Sequence, residues 1–331
     1  MTDHVDGRAD NNRRVFVAGG SGFIGRHLVR NLIQKGHDVT VFDKSVDGQA
    51  DGENVKFVEG DIRDFGSLVR AMIGCDVAYN LVAEHRDDVR PVSLYREVNV
   101  GGAETFCRAA SEVAVRNIVF TSSVAVYGTH DSPMDENTPH CFFNEYGKTK
   151  SEAEAVYERW QRSDGSNRLF IVRPTVVFGA GNRGNVFNLL RQIKNGPFFM
   201  LGKGDNIKSM ACVENVAEFL SFLLDLDSPY YVFNYSDVPN LAVREIVAIA
   251  STAIGKRDSL AVSIPMSAGL FVGKLFDLLS SVSGARFPIS EVRIRKFCSP
   301  SEVCSDRAFQ TGFRASIALE AALQDMVLKS V

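Results

Sequence analysis

Tyr146 and Lys150 stand four residues apart in Glu145-Tyr-Gly-Lys-Thr-Lys150, downstream of Thr121-Ser-Ser-Val-Ala-Val-Tyr-Gly128. On a helix, positions i and i+4 share a face, so phenol and ammonium can enter one pocket. A neighbouring cation favours phenolate and is expected to lower the tyrosine pKa toward neutrality. Such a tyrosine can exchange a proton with a substrate hydroxyl while a nicotinamide takes the hydride. The chemistry implied is oxidation or reduction at an alcohol carbon. Each signal is weak alone, because Tyr-x-x-x-Lys pairs and Gly-rich turns are both common. Their order along the chain is more specific: glycine turn, then serines ending an apolar run, then the Tyr/Lys pair opening a helix.

The elements that must position these groups alternate strand and helix. Arg14–Ala18 reads as a strand, Gly19, Gly22 and Gly25 follow at G-x-x-G-x-x-G spacing, and 23–35 has helical periodicity. Such glycines permit a tight turn and close backbone approach to a pyrophosphate at the helix N-terminus. The strand 38–42 ends in Asp43, 18 residues after Gly25. An acid there binds both ribose hydroxyls and repels a 2′-phosphate, so NAD is expected over NADP. Further strands are expected at Val55–Glu59, 76–83, Asn117–Thr121 and 169–173, with helices at 94–114 and 146–161. Asp61 falls where an adenine edge would lie. The fold expected is α/β, a Rossmann-type doubly wound parallel sheet with a smaller C-terminal α/β substrate lobe. Its boundaries are a disordered leader at 1–13, a cofactor domain at 14–178 to which 213–235 returns, and a substrate lobe of 179–212 and 236–331.

The 331 residues are 45% hydrophobic and 23% charged, ordinary globular composition. Thirty-seven Lys and Arg against 40 Asp and Glu give a net charge of −3, which argues against a nucleic-acid partner. The six cysteines form no C-x-x-C pair and the six histidines no H-E-x-x-H pattern. Reduced thiols in a cytoplasmic protein and no metal site are therefore expected.

Together, Gly19-x-x-Gly22-x-x-Gly25, Gly60-Asp61, Ser123, Tyr146-x-x-x-Lys150 and Arg173-Pro174 resemble the extended short-chain dehydrogenase/reductases, the NAD-dependent sugar epimerase/dehydratase group. The resemblance runs from about residue 14 to the C-terminus. It implies Tyr146 as acid/base and Lys150 as holder of the nicotinamide ribose. It implies Ser123 as donor to the reacting oxygen, with Ser122 a neighbour packed at the strand end. Gly19, Gly22, Phe23, Ile24, Gly25, Asp43, Asp61, Ile62, Leu81, Ala83 and Pro174 would contact NAD. Several stretches are similar to a narrower set, the bacterial enzymes that epimerise C4 of N-acetylglucosamine on undecaprenyl diphosphate for surface polysaccharide. They are Ala83-Glu-His-Arg-Asp-Asp-Val89, Arg173-Pro-Thr-Val-Val-Phe-Gly179, Asn182-Arg-Gly-Asn-Val186, Lys208-Ser-Met-Ala211 and Arg295-Lys-Phe-Cys298. One departure from soluble nucleotide-sugar epimerases matters. They place an asparagine two residues after the Arg-x pair, where this chain has Val176 and Val177. The change removes a polar anchor for a uridine nucleotide donor.

In the substrate half, Asn185 is both a candidate N-cap for a helix at 186–193 and a candidate diphosphate contact. Lys208 matches a family cation on the diphosphate. His85 and Arg86 are candidates to face the diphosphate or the nicotinamide ribose, and Arg293, Arg295 and Lys296 form a late basic cluster. The apolar run 266–282 is interrupted by Lys274 and Asp277 and is too short to span a bilayer. A core helix and an interfacial helix against the inner membrane face both fit it. A homodimer is the candidate assembly. The leading function is an epimerase using NAD as transient oxidant at C4. Its rivals are a UDP-sugar 4-epimerase, a 3-hydroxysteroid-type dehydrogenase, and an NAD-sensing protein without chemistry. A 4,6-dehydratase would want an acid and a base beside the serine, which Ser123-Val124-Ala125 lacks.

Overall fold

A computed structural model describes residues 12–46, 51–86, 89–128, 130, 133–196, 199–256, 262–268, 270 and 301–329. The leader at 1–11, the basic cluster 293–296 with Arg295, and most of 266–282 lie outside the described residues. The chain forms two compact units. The first holds 1–128, 140–174 and 216–233, and the second holds 129–139, 175–215 and 234–331. Reading the sequence kept 129–139 and the strand Val176–Phe178 with the cofactor half; both fall in the second unit.

In chain order the first unit contains β1 (Arg14–Ala18), α1 (Phe23–Gln34), β2 (Asp38–Asp43), β3 (Val55–Glu59), α2 (Phe65–Met72) and β4 (Val77–Asn80). It continues with α3 (Ser93–Arg96), α4 (Gly102–Glu112), β5 (Asn117–Thr121), α5 (Glu145–Ser163) and β6 (Arg168–Pro174). The seven-stranded sheet runs in the order Tyr230–Tyr235, β6, β5, β4, β1, β2, β3. The pairs β1–β2, β2–β3, β1–β4, β4–β5 and β5–β6 are parallel. Strand order reverses between β1 and β4, which is where open α/β sheets bind ligands beyond their carboxyl ends. Val15, Phe16, Val17 and Ala18 are all fully buried, as a central strand covered by helices on both faces requires. Phe16, Phe42 and Phe106 lie in the same core as Ile62, Ala78 and Tyr157.

Two elements depart from their expected form, each because of a buried asparagine. The strand expected at 76–83 ends at Asn80, whose side-chain oxygen accepts from the Val82 amide (2.9 Å) and closes the ladder. The single helix expected at 94–114 is three segments: α3, a π turn at Glu97–Gly101, and α4. The turn carries Asn99, which accepts from the Glu84 amide (2.8 Å) and donates to the Glu84 carbonyl (3.0 Å) and Thr149 hydroxyl (2.9 Å). Wide turns of this kind occur often at functional sites. Past Glu112 the chain leaves the helix, and Ala114 adopts φ 59°.

The second unit has its own core, in which Leu190 and Ile193 of Asn185–Asn195 and Ile246 and Val247 of Val243–Ala253 join Leu323 and Val327 of Leu319–Lys329. Its strands are short. Val176–Phe178 pairs with Met210–Cys212, and Ile207–Lys208 pairs with Leu241–Ala242. Buried Asp237 fixes the end of Met210–Cys212, accepting from the Cys212 amide, the Asn215 amide group and the Tyr235 hydroxyl. The N-cap of Asn185–Asn195 is Gly184, so the expectation that Asn185 caps this helix is corrected. Asn182 takes the turn instead, accepting from the Gly184 amide (2.9 Å) and donating to the Val177 carbonyl (3.0 Å).

Candidate active site

The glycine turn follows β1 at the switch point. Gly19 turns the chain at φ 79°, and a Cβ at Gly25 would lie 2.1 Å from the Gly19 carbonyl oxygen, so α1 starts directly on the turn. Gly22 caps α1 without a side chain, and no acid stands in its first turn. The amides of Phe23, Ile24 and Gly25 open that helix and have no intrahelical acceptor by position. This end therefore suits a pyrophosphate. Asp43 ends β2 and accepts from the amides of Ser21 (3.1 Å) and Lys44 (2.8 Å). That fixes its carboxylate beside the glycine turn, where it can accept from ribose hydroxyls.

The other cofactor candidates divide by where their side chains go. Ile62 is buried in the core, so only its backbone is left to meet an adenine. Asp61 is held by Arg63 (Nη2 2.6 Å, Nε 3.0 Å) and by Lys44 (3.4 Å). Its hydrogen bond with Arg63 is the largest cause holding its carboxyl far below the usual range. Leu81 donates its amide to the Ala18 carbonyl (2.9 Å), and with Ala83 it follows β4 next to the switch point. Pro174 is the buried last residue of β6. His85 is exposed, with Nδ1 3.4 Å from the Ala83 carbonyl.

Tyr146 and Lys150 lie in the first two turns of α5. Asn144 caps this helix by accepting from the Gly147 amide (2.8 Å). A Cβ at Gly147 would lie 2.3 Å from the Ala125 carbonyl oxygen. Glycine there lets α5 start against the 3₁₀ turn Val124–Val126, which Ser123 caps by accepting from the Ala125 amide (3.2 Å). The two helix starts bring the Tyr146 and Ser123 side chains close enough for the serine hydroxyl to favour the phenolate. Lys150 is fully buried; its Nζ donates to the Thr121 carbonyl (2.7 Å) and sits 4.3 Å from the Phe120 ring centroid.

Electrostatics here correct one expectation. Tyr146 is pushed above its ordinary pKa by burial, with the Ser123 hydrogen bond working against that rise. Burial also pushes Lys150 down to about 7, opposed by the charge of Glu154. The lysine does not lower the tyrosine pKa in this state, because its own charge is desolvated and committed to Thr121.

Behind the trio lies a polar cluster that reading the sequence missed. Ser122 donates to Glu154, a closer tie than mere packing at the strand end. Glu154 also accepts from Arg173 Nε (2.9 Å) and Nη2 (2.5 Å), and Arg173 Nη1 donates to the Tyr127 hydroxyl (2.7 Å). The available signal was spacing. Glu154 follows Lys150 by four, as Lys150 follows Tyr146, which lines all three along one face of α5.

Asn185 and Lys208 belong to the second unit. Asn185 is the first residue of its helix, and Lys208 pairs with Leu241 on one side and bridges to Ser301 on the other. Among the described residues no cluster of His, Cys, Asp and Glu is suited to a metal ion. The cysteines Cys75, Cys107, Cys141, Cys212 and Cys304 are free.

A helix-borne Tyr/Lys pair and a serine at the carboxyl ends of a sheet wound in this order characterise the extended short-chain dehydrogenase/reductases, which work with a dinucleotide. The chain belongs to the NAD dependent epimerase/dehydratase family, whose profile matches residues 15–234. It is 41% identical over 315 residues to N-acetyl-alpha-D-glucosaminyl-diphospho-ditrans,octacis-undecaprenol 4-epimerase of Escherichia coli O157:H7, covering 94% of this chain and 93% of that one. UDP-glucose 4-epimerase of Vibrio cholerae is 27% identical over 286 residues, 82% of this chain and 86% of that one. The fold matches UDP-N-acetylglucosamine 4-epimerase from Bacillus cereus with a TM-score of 0.75 at 17% identity, over 96% of this chain and 99% of that one.

Proposed function

We propose that this chain interconverts N-acetylglucosamine and N-acetylgalactosamine by epimerising C4, with NAD as resident cofactor and polyprenyl (undecaprenyl) diphosphate as the sugar carrier. The carrier assignment draws on the 41% identity, nearly end to end, to an enzyme named for that substrate. The chemistry rests on one observation, Tyr146 placed near Ser123 and one helical turn before a buried Lys150 that bonds the end of β5.

The amides opening α1 hold the pyrophosphate, Asp43 the adenosine ribose, and Lys150 the nicotinamide ribose. Backbone at Asp61 and Ile62 meets the adenine, and Leu81, Ala83 and Pro174 line the remaining wall. When bound, NAD supplies a reversible two-electron acceptor for the C4 hydrogen. Tyr146 accepts the O4 proton as that hydrogen leaves and returns it when the hydrogen is restored to the opposite face. Ser123 donates to the same oxygen throughout, so the developing carbonyl has two partners. Burial raises the Tyr146 pKa, and proton acceptance therefore requires positive charge nearby. Lys150 in its protonated form supplies it.

Asn185 and Lys208 of the second unit bind the diphosphate in this reading, where a lysine acts as a point charge on phosphate. Val176 and Val177 are consistent with a donor that brings no uridine. No described helix is long and apolar enough to cross a membrane. Reaching a polyprenyl substrate then falls to peripheral contact, for which the run 266–282 and the cluster with Arg295 are the sequence candidates.

The test is to incubate the purified protein with polyprenyl-diphosphate N-acetylglucosamine and with UDP-N-acetylglucosamine in parallel. Epimerisation of the first is expected. Rapid turnover of the second with none of the first would reject the carrier and leave the family assignment standing.

A further inference from the structure

Glu154 is almost fully buried, yet no step of the reaction proposed above uses it. Its carboxylate joins three elements. Oε1 accepts from Ser122, which follows β5, and from Arg173 Nε on β6. Oε2 accepts from Arg173 Nη2 and lies 3.7 Å from His140 Nε2, in the segment leading into α5. His140 is held in turn by Ser151 (2.7 Å) and stands edge-on to the Tyr127 ring. Lys150 is one turn back on the same helix face and equally buried. A buried charge needs compensation by an opposite charge or by hydrogen bonds. The ammonium donates to one carbonyl and lies over one aromatic face, and Glu154 is the acid acting on it.

We propose that Glu154 is a positioning residue of this site. Its contacts with Ser122 and Arg173 fix the end of β5 that carries Ser123, and its negative charge keeps the neighbouring Lys150 protonated. The proposal rests on the reading of Tyr146, Lys150 and Ser123 as the catalytic trio. Evolution of a bare structural ion pair would be satisfied by any well-packed apolar replacement, since exchanging a buried pair for hydrophobic residues is often neutral. A positioning role is not satisfied by that exchange.

The charged and titratable groups facing Lys150 and its acid are Tyr146 and Glu154 on α5, Arg173 on β6, and His140 before α5. Removing the carboxylate charge takes away what opposes desolvation of Lys150, so its titration midpoint must fall. Lys150 would then lose its proton as the pH rises through a lower value, and the high-pH edge of activity would move down with it.

The experiment compares Glu154→Gln, Glu154→Asp and the apolar double variant Glu154→Leu/Arg173→Leu with wild type, using 13C-labelled lysine. The Lys150 signal is assigned by its loss in Lys150→Ala, and its titration is followed in the ligand-free protein. A downward shift of about one pH unit is expected in Glu154→Gln and a smaller downward shift in the double variant, which also removes the Arg173 charge, with Glu154→Asp close to wild type. In the NAD-loaded enzyme, on polyprenyl-diphosphate N-acetylglucosamine, kcat should fall roughly tenfold to hundredfold in Glu154→Gln with KM nearly constant. Glu154→Asp should recover most of that loss. If Glu154→Gln fails to fold, the double variant carries the test, because it leaves no unpaired charge. An unmoved Lys150 midpoint overturns the proposal whatever the activity. Tyr146→Phe is assayed alongside: if it stays active, the reading of the trio fails, a result distinct from failure of the role given to Glu154.

Discussion

The two units place their polar residues differently. In the first, the groups proposed to bind the cofactor and move the proton stand at the ends of parallel strands of five or six residues and on helices pinned to them. Asp43 ends β2, Ser123 follows β5 and Lys150 bonds to the last residue of β5. In the second, strands are two or three residues long and pair two at a time, with a buried Asp237 bonded to the end of Met210–Cys212. Lys208 sits on such a piece, and Asn185 opens the helix Asn185–Asn195. The contrast shows which unit can fix a geometry common to many substrates and which can change without disturbing it. A cofactor and a proton carrier need invariant placement. A diphosphate carrier needs charge at the right place and tolerates variation in what surrounds it.

The largest effect that could break this division is in the first unit. Tyr146→Phe should lower turnover by roughly 10²–10⁴-fold and leave NAD affinity, measured by calorimetry, nearly unchanged, since it removes a proton carrier and no cofactor contact. Activity within a few-fold of wild type would remove Tyr146 from the mechanism.

Lys150 gives a stability prediction. Its folded-state pKa, about 7, lies below its ordinary 10.5, so between those values the unfolded chain binds more protons and stability rises with pH. Lys150→Met should therefore be more stable than wild type near pH 6 in the ligand-free protein. That advantage should shrink by about 1.4 kcal/mol per pH unit between pH about 7 and 10.5. Denaturant titrations across that range check it, and a pH-independent difference would contradict the buried-charge account.

Smaller effects sharpen the contrast between units. Lys208→Ala should weaken substrate binding by roughly tenfold with NAD affinity intact, because a charge-assisted contact is lost in the second unit alone. Asp43→Asn should do the reverse, lowering NAD affinity by about tenfold or less and relaxing rejection of NADP, with substrate KM little changed. Loss of NAD affinity in Lys208→Ala would dissolve the division of labour.

Much of the first unit was legible in the sequence because its demands are local. Glycine spacing marks a turn, an apolar pentapeptide marks a buried strand, and Tyr-x-x-x-Lys marks one helix face. What stayed hidden depends on partners distant in sequence. Asn99 matters because it reaches Glu84 and Thr149, which no periodicity announces, and the π turn that presents it breaks a pattern that read as one helix. Glu154 faces the core beside Lys150, so α5 looks polar where it is in fact buried. The pKa of Tyr146 was misjudged for the same reason, since spacing reveals a cation nearby but not the desolvation of both groups. In the second unit, Asn185 reads as a cap from residue type alone, yet the helix starts behind Gly184 with no side-chain cap, and Asn182 orders the preceding turn.

The central claim is that C4 is oxidised and then re-reduced within one bound cofactor cycle. The direct measurement uses polyprenyl-diphosphate N-acetylglucosamine carrying deuterium at C4, incubated with the NAD-loaded enzyme in ordinary water. The account predicts an N-acetylgalactosamine product that keeps the deuterium at C4, because the same hydrogen is taken up and handed back. Product with the label washed out into solvent would contradict it and point to proton abstraction at carbon instead.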